Sequence, residues 1–481
     1  MQKKQRFYFN ICSFTKLADI YYRHMDVNWT KFLSCRRLRR SRLDLVTPGR
    51  SPYQQDFDRV IFSAAFRRLQ DKAQVFPLAD SDYVRTRLTH SLECSSIGRS
   101  LGGIVGTHIC EKYHPEGIQP SDIGAIVAAA ALAHDIGNPP LGHCGEEAIR
   151  YWFGNSNVAQ RLKPYLSEAE QADFAWYEGN AQGFRVLSRL ESSFNPGGMQ
   201  LTCATLGALS KYPCSAIKRG YLAGVAGRKY NFFRQDKALF EEVAESTGMI
   251  QVADEVWHRH PLAFLVEAAD DITYLIIDFE DAHKQRIIDY SEFESLIMPM
   301  ISDGSVERES RSIRGNDRKV EFLRARVLGV LVRQCAKAFN DYHDDIVTGR
   351  LEEPLTALIG AAPLLNQIKQ RSGERVYTAR RVVEIQAAGF ELTSGLLDAF
   401  VTAIAEAAAE TRGESKASYR SRSLLQLLPK DLCDLSDMEF CNDAYSQILS
   451  VLDFVTALTD SHAVTLFKKI KGISLPGMLQ S

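Results

Sequence analysis

The chain has 481 residues, 45% hydrophobic and 24% charged, which is the balance of a soluble globular protein and excludes a disordered or fibrous one. Its 58 basic and 59 acidic residues nearly cancel, so no global charge marks a nucleic-acid binder, and any anion site must be a local cluster. Ten scattered cysteines without a CxxC pair argue against a disulfide framework and a structural zinc site, and they favour a reducing compartment.

The N-terminal segment, residues 1–24, has a basic start and an apolar stretch that polar residues interrupt. It lacks a secretory apolar core and a small-residue cleavage site. Met25 follows, so a start at either Met1 or Met25 stays open, and we give residues 1–24 little functional weight. No apolar run reaches about 18 residues, so we expect no membrane span and a cytoplasmic location.

Helical periodicity recurs along the chain, whereas alternating strand patterns around tight turns are scarce. The sequence therefore predicts an all-α fold with at most small β-hairpins. One helix opens with Pro120 and a Ser121/Asp122 cap, runs through a small apolar stretch, and stops at Gly137 before two prolines. The predicted helices cover 56–76, 85–113, 120–136, 261–283, 321–342, 375–387, 393–411 and 436–460.

Two polar, turn-rich segments, 301–319 and 411–423, are the candidate boundaries between parts of the chain. We predict an N-terminal extension and basic segment at 1–50, a helical core at 51–300, and a C-terminal helical region at 301–481 that packs on the core.

Three separate helical segments carry imidazoles and carboxylates that could converge. His90 lies in one, the adjacent His134 and Asp135 follow the small apolar helix, and Asp270 lies in a third. Polar groups at the end of so apolar a helix are costly unless a partner satisfies them. Imidazole and carboxylate together suit a divalent cation, and a water bound to that cation becomes a nucleophile near neutral pH.

Helical spacing separates the two adjacent aspartates of the third segment. Asp271 shares a face with Glu267, Leu275 and Asp278, which predicts a solvated surface. Asp270 lies instead along a largely apolar stripe, where an acid needs a partner. We therefore predict Asp270 as the ligand, with Asp271 in support.

The ordered set H…HD…D resembles the HD-domain phosphohydrolase superfamily. The flanking words "RRLQDKAQVFPL", "VRTRLTHSLE", "AHDIGNPPLGHCGE", "GNAQGFR" and "VEAADDITYLIIDFEDA" are similar to those of deoxynucleoside triphosphate triphosphohydrolases, in particular the bacterial dGTPase type. The similarity runs from about residue 36 to 290 and is weaker in the C-terminal helices. It implies an HD-domain catalytic core at 51–300.

The resemblance implies metal-dependent hydrolysis of a dNTP, with dGTP favoured, to the deoxynucleoside and inorganic tripolyphosphate. The metal would be Mg²⁺ or Mn²⁺, although Co²⁺, Ni²⁺ and Fe²⁺ tolerate the same ligands. The residues that fall on the family's metal-ligand positions are His90, His134, Asp135 and Asp270.

A His/Glu pair that the family carries beside the metal corresponds to His143 and Glu146. These residues are three apart at the start of the helix after Pro139 and Pro140, so their side chains can meet on one face. A carboxylate behind an imidazole orients it and raises its basicity, which suits a general base or a proton donor. We predict His143 as the catalytic residue and Glu146 as its partner.

The triphosphate requires cationic side chains, and the resemblance implies three of them. Arg87 lies on the same helical side as the first predicted ligand, and Arg185 and Lys229 lie in segments similar to the family's phosphate-binding elements. Tyr274 matches a position that faces the deoxyribose and excludes a 2′-hydroxyl, and Gln74 matches a sugar-contacting position.

Other readings of these patterns stay open. Taken singly, each residue could be an ordinary structural histidine, a helix-end charge or a solvated acid. Another HD phosphohydrolase, acting on nucleoside monophosphates or cyclic nucleotides, would use the same ligands. A non-catalytic nucleic-acid-binding oligomer would use the site only as a structural metal site.

Two basic clusters, 36–42 and 419–423, are most simply solvated faces. The resemblance implies a homo-oligomer, a hexamer in some members, and single-stranded DNA as an effector, for which such clusters could serve.

Overall fold

The structure, a computed structural model, describes residues 28–40, 49–75, 85–301, 303–376, 378, 380–429 and 432–473. Within them the chain forms 22 α-helices and one two-stranded antiparallel sheet, which confirms the predicted all-α class. The prediction for residues 1–24 lies outside the described residues.

The sheet consists of β1 (Gln251–Ala253) and β2 (Val256–Trp257), with Gln251 paired to Trp257 and Ala253 to Val256. Eleven α-helices precede it in the described chain. They are α1 (Trp29–Phe32), α2 (Pro52–Phe62), α3 (Ala64–Arg68), α4 (Arg87–Tyr113), α5 (Pro120–Ala133), α6 (His143–Asn155), α7 (Asn157–Leu162), α8 (Glu168–Ala175), α9 (Gly179–Arg185), α10 (Cys203–Leu209) and α11 (Lys237–Thr247).

The helices after the sheet form the rest of the described chain. They are α12 (Ala263–Lys284), α13 (Tyr290–Ile301), α14 (Gly304–Ser312), α15 (Asn316–Asp341), α16 (His343–Val347), α17 (Ala362–Arg371), α18 (Arg380–Thr411), α19 (Tyr419–Leu425), α20 (Met438–Asn442), α21 (Ala444–Ala457) and α22 (Asp460–Ile470).

The centre of the fold is the antiparallel pair α4 and α5, crossed by α12. A Thr86 cap opens α4, and Pro120 stands at the first position of α5, as its sequence indicates. Residues 126–133 of α5 are buried all round, which explains why the segment is apolar on every face. The start of α4, the end of α5 and the third turn of α12 meet at one place, where the candidate site lies.

The hydrophobic core continues across residue 300. One cluster of buried residues takes members from α1, α4, α5 and α12 and also from α13 to α18. A second cluster joins α6, α7 and α8 to α18, α21 and α22. The C-terminal helices therefore share their core with the helices that carry the site.

Two predicted helices are interrupted by capping residues. The helix predicted at 56–76 breaks at Ser63, which is extended and whose hydroxyl accepts from the backbone N–H of Phe66. The helix predicted at 436–460 breaks at Asp443, which caps α21 in the same way. Short polar side chains that bond the next turn favour such helix starts over helix interiors.

Two other boundaries also differ from the sequence prediction. The segments 375–387 and 393–411 contribute to one continuous helix, α18, because Gly389 between them is a point of close packing and not a break. A Cβ there would lie 2.8 Å from both Cys144 Sγ and Leu141 Cδ1. The polar segment 301–319 is largely helical, in α14 and the start of α15.

Helix α18 is long and apolar enough to cross a membrane by length and composition, over Val382–Thr411. However, 61% of its most apolar window is buried inside the fold, where α18 packs on α6, α19, α21 and α22. That packing accounts for its apolar sequence as a core helix.

Candidate active site

Three side chains from three different helices meet at one point. His90 lies in the first turn of α4, His134 ends α5 as its C-terminal cap, and Asp270 lies in α12. Asp270 Oδ1 is 3.3 Å from His90 Nε2 and 3.5 Å from His134 Nε2. One ligand atom from each residue lies within 4.8 Å of the others, so a single cation can be held by all three.

Asp135 extends this cluster to a fourth group. Its Oδ1 is 3.6 Å from His134 Nε2 and accepts hydrogen bonds from Arg87 Nη1, at 3.0 Å, and from Asn138 Nδ2. Its Oδ2 is buried and makes no hydrogen bond within the described residues. A buried carboxylate oxygen without a partner is costly, and a cation beside His134 would satisfy it. The residues therefore fit a divalent metal.

The backbone presents His134 in one tautomer. Its Nδ1 lies 2.6 Å from the carbonyl oxygen of Ala131, which can only accept, so Nδ1 carries the proton. Nε2 is then the lone pair available to a metal. A hydrogen bond at the ring nitrogen that does not bind the metal fixes the orientation of a metal-binding imidazole.

Neighbouring positive groups keep the carboxylates of Asp270 and Asp135 ionised. Burial by itself would raise the pKa of Asp270, but His134 and His90 hold that pKa well below its usual range. For Asp135, burial is likewise outweighed, because Arg87 and the two histidines lower its pKa. Both acids therefore offer charged oxygens at neutral pH.

The pair His143 and Glu146 lies at the start of α6. His143 Nδ1 is 3.0 Å from Glu146 Oε2, and Glu146 Oε1 accepts from the backbone N–H of Gly179 at 2.7 Å. The His143 side chain is 81% exposed, whereas that of Glu146 is 4% exposed. Burial would raise the pKa of Glu146, but the hydrogen bond with His143 and the charge of Lys229 lower it to about 2. Glu146 is therefore an anion that accepts from Nδ1, which leaves Nε2 of His143 as the free ring nitrogen.

The turn before His143 requires a glycine. Gly142 has a φ of +58°, and a Cβ built on it would lie 2.3 Å from Arg87 Nη2. Only a residue without a side chain allows the guanidinium to approach so closely. Arg87 is therefore packed between Asp135 and the turn that carries His143.

One cavity of about 560 Å³ contains these groups. It brings together ten of the eleven site residues predicted from the sequence: Gln74, Arg87, His90, His134, Asp135, His143, Glu146, Lys229, Asp270 and Tyr274.

Arg185 is the predicted site residue that the structure does not bring to this cavity. It is 5% exposed, and its guanidinium pairs with Asp453 at 2.9 Å and with Asp236 at 3.2 Å. Asn180, at the other end of α9, lines the cavity instead. The segment thus contributes to the site through Asn180, whereas the guanidinium of Arg185 joins α9 to α21 and is occupied by Asp453 and Asp236.

The prediction of a solvated face around Asp271 is wrong. Glu267 and Asp278 on that face are 3% and 2% exposed. Glu267 pairs with Arg259 at 2.7 Å and with Lys211 at 3.3 Å. Burial raises the pKa of Asp271 to about 6. Lys211 comes from a distant segment and Arg259 from the segment that precedes α12, and spacing within one helix reveals neither partner.

Sequence reasoning also missed Lys211 and Tyr212, which line the same cavity as Lys229. They lie in an irregular segment after α10, and a lone Lys–Tyr pair carries no spacing signal. Lys229 pairs with Glu178 at 2.8 Å and lies 3.8 Å from Glu146. The cations of the cavity lie beside its acids, because Lys211 pairs with Glu267, Lys229 with Glu178 and Arg87 with Asp135.

Comparison with known proteins gives relatives along nearly the whole chain, although no protein-family model matches it. A deoxyguanosinetriphosphate triphosphohydrolase-like protein of Synechocystis is 39% identical, over 93% of this chain and 100% of its own length. Proteins of the same name from Pseudomonas aeruginosa and Listeria monocytogenes are 38% and 34% identical, over 94% and 93% of this chain and all of their own. A deoxyguanosinetriphosphate triphosphohydrolase of Salmonella arizonae is 29% identical over 88% of this chain and 94% of its own. The chain therefore belongs to the family of deoxyguanosinetriphosphate triphosphohydrolase-like proteins.

Proposed function

We propose that the protein hydrolyses a dNTP, with dGTP preferred, to the deoxynucleoside and inorganic tripolyphosphate in a reaction that depends on a divalent metal. The observation that carries the proposal is the convergence of two imidazoles and two carboxylates beside a His–Glu pair in one cavity. The names of the relatives support the choice of dGTP.

The proposed metal ligands are His90, His134, Asp135 and Asp270, and Mg²⁺ or Mn²⁺ suits them, with Co²⁺, Ni²⁺ and Fe²⁺ as alternatives. When bound, such an ion supplies a more acidic water and neutralises phosphate charge.

In the proposed reaction a water oxygen bonds to the α-phosphorus and the bond from that phosphorus to the 5′ oxygen breaks. The water loses a proton and the 5′ oxygen gains one. His143 is the proposed residue for this transfer, because its Nε2 is free and its side chain is exposed to the cavity. Glu146 holds the ring and stabilises its protonated form.

The proposed substrate contacts follow from the lining of the cavity. Lys229 and Lys211 supply positive charge for the triphosphate, while Arg87 divides its guanidinium between Asp135 and the cavity. Tyr274, one turn after Asp270, and Gln74 are the proposed contacts of the deoxyribose. An aromatic ring against C2′ would exclude a 2′-hydroxyl.

A cytoplasmic homo-oligomer, hexameric by resemblance, with single-stranded DNA as an effector, belongs to the same proposal. Within the described part of the basic segment, Arg36 and Arg39 pair with Glu242 at 3.2 Å, and Arg37 is buried against Asp56 at 2.6 Å. The sequence expectation of a solvated face is therefore wrong for Arg37. Arg37 is thus unavailable to a ligand, whereas Arg36 and Arg39 are 50% and 43% exposed and stay candidates for a phosphate backbone beside 419–423.

Incubation of the purified protein with each dNTP and with GTP tests the proposed function. With Mg²⁺ or Mn²⁺, we expect deoxyguanosine and tripolyphosphate from dGTP. We expect much less product from GTP, because the ring of Tyr274 against C2′ would exclude a 2′-hydroxyl. Phosphorus NMR identifies the phosphate product, and the same protein with EDTA is the control.

Two other results would each replace this function. Orthophosphate released from a nucleoside monophosphate, or an opened cyclic nucleotide, would indicate another HD phosphohydrolase. Intact nucleotides from metal-loaded protein, together with salt-dependent DNA binding, would indicate a non-catalytic nucleic-acid-binding oligomer.

A further inference from the structure

A buried carboxylate of the C-terminal region joins the two walls of the cavity. Asp460 opens α22 and is 2% exposed. Its Oδ2 accepts a hydrogen bond from the backbone N–H of Ala73 at 2.9 Å, and its Oδ1 accepts from the backbone N–H of Leu141 at 2.8 Å. Both Ala73 and Leu141 line the cavity. One side chain thus bonds two segments that are far apart in the sequence.

The two segments carry different parts of the proposed machinery. Ala73 directly precedes Gln74, and Leu141 lies two residues before His143. Leu141 has a φ of +62°, a left-handed conformation that a branched side chain adopts only where its surroundings impose it. The hydrogen bond from Leu141 to Asp460 is a contact that imposes it.

A second bridge runs parallel to the first. The buried Lys72 donates from Nζ to the carbonyl oxygens of Asn138, at 2.5 Å, and Thr456, at 2.7 Å. Ser461 Oγ donates to Asp71 Oδ1 at 2.9 Å. The segment around residues 71–73, the turn after α5 and the junction of α21 with α22 are therefore tied together by several hydrogen bonds.

We propose that Asp460 is a positioning residue, which sets the place of the turn carrying His143 relative to the wall carrying Gln74. The inference rests on the proposed function for the roles of those two residues. A carboxylate suits the task because two backbone donors need two acceptor oxygens, and an amide offers one oxygen and a donor group. In Asp460→Asn one backbone N–H therefore faces another donor.

Asp460→Asn is expected to lower kcat by about 10-fold to 100-fold, since displacement of a reacting group by about 1 Å has effects of that size. Metal content should stay at the wild-type value, because the two hydrogen bonds of Asp460 go to Ala73 and Leu141 and not to a metal ligand. In a His143→Ala background the same substitution should change kcat by no more than about twofold, since the group that it displaces is already absent.

Asp173→Asn is the matched control. Asp173 is also 2% exposed and accepts from the backbone N–H of Arg234 at 2.7 Å and from the Tyr445 hydroxyl at 2.6 Å. It joins α8 to α21 away from the residues that line the cavity. Both of its donors bond Oδ2, and one amide oxygen can still accept both, so we expect wild-type kcat and a smaller fall in the unfolding temperature than in Asp460→Asn.

Amide hydrogen exchange gives a readout that needs no turnover. In Asp460→Asn the N–H groups of Ala73 and Leu141 should exchange at least about tenfold faster, and in Asp173→Asn they should not change. Unchanged exchange at Leu141, or an equal loss of kcat with and without His143, would overturn the inference. If the wild-type protein cleaves no dNTP, the proposed function fails, and the exchange rates still decide whether Asp460 holds the turn.

Discussion

His134→Ala is expected to abolish both divalent metal binding and nucleotide hydrolysis. The substitution removes the imidazole 3.5 Å from Asp270 Oδ1 and 3.6 Å from Asp135 Oδ1, and it leaves the two carboxylates with less to offset their repulsion. Because a bound metal contributes several kcal/mol to such reactions, kcat should fall by about 10³-fold or more. Metal content by mass spectrometry and turnover of dGTP are the measurements.

His108→Ala is the control for this experiment. His108 lies on α4, the helix that carries His90, but about 27 Å further along its axis. It should retain wild-type metal content and kcat. Stoichiometric metal or wild-type turnover in His134→Ala would contradict the role of His134 as a ligand.

His143→Ala is expected to retain the metal and to lose rate. The side chain is exposed and pairs with Glu146, at the opposite end of the turn from the metal-ligand cluster. Loss of a general acid–base group lowers kcat by about 10²-fold to 10⁴-fold. Glu146→Gln should lose less, because an amide oxygen can still accept from Nδ1 although the charge that stabilises the protonated ring is gone.

The matched control is His462→Ala, which removes an exposed histidine from the first turn of α22. It should leave kcat, KM and metal content unchanged. Wild-type kcat in His143→Ala, or loss of its metal, would show that His143 is not the proton-transfer residue.

The metal-ligand cluster could be predicted because its signals are local. An apolar helix that ends on adjacent His134 and Asp135, and an acid such as Asp270 on an apolar stripe, are visible in the sequence. The structure places these groups together, and the ligand roles stay a proposal. The start of α5 at Pro120 was predictable for the same reason, since proline favours the first position of a helix.

The other features of the site depend on contacts between segments that are far apart in the sequence. Arg185 lies in a segment similar to a phosphate-binding element, yet its position opposite Asp453 and Asp236 is set by the packing of α9 on α21. Lys211 enters the cavity from an irregular segment, and Asp460 bonds residues more than 300 positions earlier in the chain. Neither periodicity nor spacing within one helix contains such information.

Anomalous diffraction from crystals of the wild-type protein grown with Mn²⁺ tests the central claim most directly. We expect one manganese peak among the side chains of His90, His134, Asp135 and Asp270, at coordination distance from all four. A peak bound elsewhere, or ordered ligand side chains with no peak among them, would contradict the metal site and the hydrolysis proposed from it.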